Sequence, residues 1–335
     1  MTVTVLLLIF ALLVVVAGAY SMVEGSSRIA SRFGISELVI GMTVVAIGTS
    51  APELIVSLMG ALKGSAGIAV GNVIGSNICN LLLIVGLSAL IYPLGVSREI
   101  VNRDMLFMFL STVVLLVISF DIQIDTLTID DDMSSNFISR SEGILLILFF
   151  LIFIFYSVAS AKRGERTAYR MSEKQTSDNE EKPQKKYNIP LALLMIAVGL
   201  AALIWGGNLL VEKAITVAKY FGVSDVVIGS TIIAIGTSLP ELATSVVAAF
   251  RKKVGLALGN VVGSNIFNVF LILGGCSAIT PLPLADINHI HFIFLLLATL
   301  LILLAARTSF KIRRSEGALL LAFYILYIIV NISVN

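Results

Sequence analysis

Two glutamates, Glu53 and Glu241, each sit deep within an apolar stretch and carry the same companions, in VVAIGTSAPE at 44–53 and IIAIGTSLPE at 232–241. A carboxylate at membrane depth is costly and marks a functional site. Ala46, Thr49, Ser50 and Glu53 fall at i, i+3, i+4 and i+7, one face of a helix, and Ala234, Thr237, Ser238 and Glu241 repeat that spacing. Each face offers a hydroxyl pair beside a carboxylate. Pro52 and Pro240, each directly before its glutamate, lack an N–H and so break the helix, freeing carbonyls near Gly48 and Gly236. Unpaired carbonyls at that depth are tolerated only when buried in protein or lining a watered cavity. They are also good ligands for hard cations. A second motif follows each first one, GNVIGSNICN at 71–80 and GNVVGSNIFN at 259–268. Its helix presents Asn72, Ser76 and Asn80 at i, i+4 and i+8, matched by Asn260, Ser264 and Asn268. Gly71, Gly75, Gly259 and Gly263 allow helices to approach closely.

The donors in this inventory are oxygens, apart from the amide nitrogens, and neither motif holds a His in either copy. Copper or zinc would want imidazole or thiolate. Oxygen sites suit Na⁺, Ca²⁺ and Mg²⁺, and because Mg²⁺ retains its water, a dehydrated site favours Ca²⁺. Two glutamates neutralise one Ca²⁺, or they share sodium ions, which is a physical basis for exchange. An enzyme using them as acid and base would need a nucleophile or His nearby, so a transporter without cofactor is expected. Cys79 and Cys276 read as small buried hydrophobes, and His289 and His291 as residues of an extracellular helix entrance.

These residues must be positioned by membrane helices. The chain is 58% hydrophobic and 13% charged, with a mean hydropathy of +1.01, more apolar than a soluble domain of 335 residues needs. A spanning helix takes about 20 mostly apolar residues. That rule predicts ten spans, near 3–20, 36–62, 66–91, 103–120, 142–161, 189–211, 225–250, 254–280, 288–306 and 315–332. The first is read as a retained membrane helix. The two copies keep one constant offset, with 31 identities over the 60 gap-free positions from Ile35/Val223 to Leu94/Leu282. Five helices per copy is an odd number, so the copies insert upside down relative to each other, as in many secondary transporters. The expected fold is an all-α integral membrane protein of ten transmembrane helices in two inverted five-helix repeats, 1–161 and 189–335, joined by a linker at 162–188. Alternate loop assignment with both termini outside puts 19 of the 23 Lys and Arg residues on the cytoplasmic side, eight of them in loop 162–187. That loop reads as a flexible linker. The acidic segment 121–132 falls outside and alternates like a small hairpin. The partners implied are ions and the lipid bilayer of the plasma (inner) membrane, not nucleic acid.

GTSAPE with GNVIGSNICN, and GTSLPE with GNVVGSNIFN, resemble the two α-repeats of the sodium/calcium exchanger family, in its compact prokaryotic form. The resemblance runs end to end. It implies a functional monomer that exchanges several Na⁺ for one Ca²⁺. It implies Glu53 and Glu241 as central ligands, and backbone carbonyls of Thr49 and Thr237 completing the Ca²⁺ site. It implies a sodium site towards the cytoplasm from Ala46, Ser50 and Ser76, and one towards the outside from Ala234, Ser238 and Ser264. Asn80 and Asn268 would flank the middle. Potassium-dependent relatives carry an aspartate at the Asn268 position, so no K⁺ requirement is expected. Proton-coupled relatives carry a glutamate where this chain has Gly75 and Gly263, which weakens H⁺/Ca²⁺ exchange, or exchange of another divalent cation, without removing it. In the family, the first helix of each half slides over the fixed site, and Gly18, Gly199, Gly206 and Gly207 would let those helices pack loosely.

Overall fold

The computed structural model describes residues 2–121, 136–175, 188–222, 234–284 and 287–334. It is all-α apart from two short strand pairs. The first half holds α1 (Thr2–Phe33), the bent pair α2 (Glu37–Thr49) and α3 (Ala51–Leu62), then α4 (Ala66–Ile91), α5 (Ile100–Ser119) and α6 (Arg140–Gln175). The second holds α7 (Ile189–Tyr220), α8 (Ala234–Thr237), α9 (Leu239–Phe250), α10 (Val254–Ile279), α11 (His289–Ser309) and α12 (Arg314–Val334). Among the described residues, eight helices are long and apolar enough to cross a membrane, or nine with α2 and α3 counted as one span.

Several ends differ from expectation. Helix α1 runs to Phe33 and α7 to Tyr220, well beyond 20 and 211. The added turns are polar and contain no proline, and the chain turns only at Gly34 and Gly222, whose φ values of 64° and 76° favour glycine. Helix α6 continues to Gln175, so the first part of the segment expected to be a flexible linker is helical. The rest of that linker, the hairpin expected within 121–132 beyond Asp121, and residues 225–233 of the seventh span lie outside the described residues.

Helices α4 and α10 form the centre, with 72% and 94% of their most apolar windows buried, against 22% for α1, α6, α7 and α12. The outer helices show Leu13, Leu148 and Phe155 to their surroundings, as a lipid-facing surface requires. The halves interlock. A Cβ on Gly86 of α4 would lie 3.0 Å from the Gly317 carbonyl of α12, and one on Gly274 of α10 would lie 3.1 Å from the Gly143 carbonyl of α6. Gly86 and Gly274 are themselves equivalent positions of the repeat. Phe149 stacks on Phe270 and Phe150 meets Phe267 edge-on at the same α6–α10 contact. The strands make the same exchange: β1 (Leu94–Gly95) pairs with β4 (Lys311–Ile312), and β2 (Phe137–Ile138) with β3 (Leu282–Pro283).

Helices α1 and α7 pack on each other tightly, not loosely. A Cβ on Gly199 would lie 2.7 Å from the Gly18 carbonyl, and one on Gly25 would lie 2.7 Å from that of Ala192. Small residues here bring two backbones together, so the pair is built as one piece.

Candidate functional site

Both signature helices break where the prolines place the interruption. The backbone leaves helical geometry at Ser50 (φ −81°, ψ 9°) and again at Ser238 (φ −82°, ψ 10°). Pro52 and Pro240 then stand in the first turn of α3 and α9, where a missing N–H costs nothing. Gly48 and Gly236 lie four residues before the prolines, so their carbonyls lack the usual helical donor. The α2–α3 bend is 47°.

The breaks bring the two glutamates into one buried region. Glu53 and Glu241 are both 0% exposed. Each is reached by a serine from the other half: Ser238 Oγ donates to Glu53 Oε1 at 3.0 Å, and Ser50 Oγ to Glu241 Oε1 at 2.8 Å. Ser76 Oγ stands 3.4 Å from Glu53 Oε1, and Ser264 Oγ stands 3.5 Å from Glu241 Oε1. Ser264 Oγ also lies 3.0 Å from Ser50 Oγ, while Ser76 lies 3.5 Å from the Thr237 hydroxyl. The sequence reading grouped Ser50 with Ser76, and Ser238 with Ser264. The structure exchanges these partners, joining Ser50 to Ser264 and placing Ser238 with Ser76 around Glu53. The reason is packing. Helix α10 lies directly on α2, where a Cβ on Gly263 would sit 2.5 Å from the Met42 carbonyl and 2.8 Å from the Ala46 Cβ.

Ala46 is fully buried, and its carbonyl accepts the Ser50 N–H at 3.0 Å. Ala234 opens α8, the matching segment of the second half. Asn80 and Asn268 hold equivalent repeat positions at the π-helical segments Cys79–Ile84 and Asn268–Leu273. Such segments recur at functional sites because they re-aim side chains. Both asparagines are buried, and Asn268 Nδ2 donates to Asn77 Oδ1 at 3.0 Å. Glu53 Oε2, Glu241 Oε2, Asn80 Oδ1 and Asn268 Oδ1 have no hydrogen-bond partner among the described residues. Buried polar atoms are rarely left so, and four oxygens from two pairs of equivalent positions have the chemistry to take a cation.

Residues outside the expected ligand set shape this region too. Asn72 and Asn260 brace the breaks, and Ser57, Ser245 and Asn77 are buried polar partners. Identity at positions 57/245, 72/260 and 77/265 of the repeat was the available signal. His291 meets Tyr327 at 3.1 Å, and both cysteines are free and buried.

Two broken helices from two copies of one motif, facing each other across buried carboxylates in a multi-pass membrane protein, define an ion transporter. The sodium/calcium exchanger protein family matches residues 3–159 and 191–333, and the chain belongs to that family. It is 34% identical to the sodium/calcium exchanger MaX1 of Methanosarcina acetivorans, over 98% of each chain. It is 36% identical to the inner membrane protein YrbG of Escherichia coli, over 96% of this chain and 94% of that one. A solved structure of the sodium-calcium exchanger NCX_Mj, soaked with zero Na⁺ and Ca²⁺, superposes with a TM-score of 0.78 at 32% identity, covering 98% of both chains. A more distant relative is the Ca²⁺/H⁺ antiporter ChaA of Bacillus subtilis, 26% identical over 83% of this chain and 78% of its own length.

Proposed function

We propose that this chain is a secondary active antiporter exchanging Na⁺ for Ca²⁺ by alternating access, without a K⁺ requirement. The observation that carries this is the set of four unpartnered oxygens, on Glu53, Glu241, Asn80 and Asn268, buried between the two breaks. The two carboxylates balance one Ca²⁺, and carbonyls of Thr49 and Thr237 complete its oxygen shell. Sodium ions take the flanking positions, one by Ala46, Ser50 and Ser264, the other by Ala234, Ser238 and Ser76. An emptied site leaves two bare carboxylates in an apolar seal, which opposes the transition between outward and inward access. Loading with either ion removes that cost.

The membrane arrangement belongs to the same reading: ten helices in two inverted repeats, 1–161 and 189–335, with 162–188 between them. Both termini lie outside in the plasma (inner) membrane, and one chain is the working unit. The two matched stretches of the family and the inner-membrane relative support it. Proton coupling is the second reading, favoured by the likeness to a Ca²⁺/H⁺ antiporter.

The test is Ca²⁺ uptake into proteoliposomes preloaded with Na⁺, with the bath switched among Na⁺, K⁺ and choline. Uptake that follows an outward Na⁺ gradient is the expected result. Uptake driven by a pH gradient in sodium-free medium, with none driven by sodium, replaces it with the proton-coupled reading.

A further inference from the structure

Asn72 and Asn260 form two identical clamps that join the halves. Asn260 Nδ2 donates to the Glu241 carbonyl at 3.3 Å and to Ser245 Oγ at 3.0 Å, and its Oδ1 accepts the Thr49 hydroxyl at 3.0 Å. Asn72 Nδ2 likewise donates to the Glu53 carbonyl at 3.3 Å and to Ser57 Oγ at 2.9 Å, and its Oδ1 accepts the Thr237 hydroxyl at 3.3 Å. An amide supplies two N–H donors and a carbonyl acceptor, so one side chain makes all three contacts. A carboxylate or hydroxyl cannot. From this we propose that Asn72 and Asn260 are positioning residues that decide which oxygens are left for the ion. They engage the threonine hydroxyls and the glutamate main-chain carbonyls, leaving the carboxylates and the threonine carbonyls.

This rests on the exchange reading above. The test compares Asn72→Ala, Asn260→Ala, Thr49→Val and the Asn260→Ala/Thr49→Val double variant in sodium-driven Ca²⁺ uptake, beside Glu53→Gln. Losing a buried hydrogen bond predicts that each single clamp variant raises the Ca²⁺ half-saturation concentration about tenfold. The double variant should cost no more than Asn260→Ala alone, because both remove the same link. Where Asn260→Ala fails to fold, Thr49→Val carries the same prediction. Wild-type half-saturation in folded clamp variants, or strict additivity in the double variant, overturns the proposal. If Glu53→Gln also transports normally, the exchange reading itself falls.

An independent observation lies at the end of the molecule that the charge distribution assigns to the cytoplasm. Arg251 Nη2 meets Glu24 Oε2 of α1 at 2.7 Å, and the guanidinium lies 4.4 Å from the Tyr20 ring centre. At the offset that aligns the two copies, the equivalents of Arg251, Glu24 and Tyr20 are Lys63, Glu212 and Asn208. There the arrangement is open. Glu212 is 65% exposed and pairs with its neighbour Lys213, and Asn208 lines a cavity of about 210 Å³ with Pro52, Thr237 and Pro240. We infer that these are two alternating latches: Glu24–Arg251 is shut here, and Glu212–Lys63 shuts when the α1–α7 pair moves to the opposite state.

Cross-linking tests it, using a cleavable bis-thiol reagent on Glu24→Cys/Arg251→Cys and on Lys63→Cys/Glu212→Cys. Both pairs should cross-link during turnover, each should stop uptake, and cleavage should restore it. A Lys63/Glu212 pair that never links while transport proceeds overturns the inference. If the cysteine variants are inactive, the swap Glu24→Arg/Arg251→Glu takes over. It should recover the rate lost in either single variant, and no recovery overturns the latch.

Discussion

At the scale of single residues, the two glutamates are not interchangeable with neutral amides, although Gln would preserve the serine hydrogen bonds. Ser238 and Ser50 each already hold one oxygen of a carboxylate, which leaves the other for the ion in the proposed exchange. Removing one charge from a buried ion site costs about 3–5 kcal/mol. Glu53→Gln or Glu241→Gln should therefore cut sodium-dependent Ca²⁺ uptake by a hundredfold or more, and near-normal flux in either would end the ion-site assignment. Asn268 sends its amide to Asn77, and its oxygen has no partner among the described residues. Asn268→Asp adds a third acid, so ion selectivity in competition assays should change, with K⁺ becoming inhibitory or required. An unchanged profile would make the position structural.

At the scale of elements, the breaks and the glycine contacts do different work. The breaks free backbone carbonyls beside the buried carboxylates, while Gly18, Gly25 and Gly199 weld α1 to α7. Gly199→Val puts its first carbon within 2.7 Å of the Gly18 carbonyl and the Met22 nitrogen. Overpacking of this kind costs about 1–3 kcal/mol. The purified variant should melt several degrees lower, and an unchanged melting temperature would show that the pair separates readily. The broken helices were legible from Pro52 and Pro240. The lengths of α1 and α7 were not, because their added turns are polar and are held by partners such as Arg251, which meets Glu24 from a distant turn.

For the whole molecule, the proposed ion site lies only where the halves meet, so the exchange reading links ion binding to stability. Saturation at about a hundred times the dissociation constant adds about 2.7 kcal/mol. Ca²⁺ should raise the melting temperature of the wild type and leave Glu53→Gln unmoved, and an equal rise in both would place Ca²⁺ elsewhere. A reporter fused at the C-terminus should be reached only from outside the cell, and one inserted at 176–187 only from within. The reverse pattern would invert the topology.

The sequence alone determined the repeat, the membrane class and the helix breaks, because each rests on composition or on spacing within one segment. Ala46 and Thr49 lie one turn apart within α2 whatever partners they meet. Only the tertiary structure decided which serine serves which carboxylate, that Asn72 and Asn260 clamp the threonines of the opposite half, and that α1 and α7 are tightly joined. Each of these is a contact between residues far apart in the chain and in opposite halves of it. Periodicity reports the face a residue occupies. The partner on that face is set by how α4 and α10 fit against the broken helices of the other repeat, and that fit is written in no single segment.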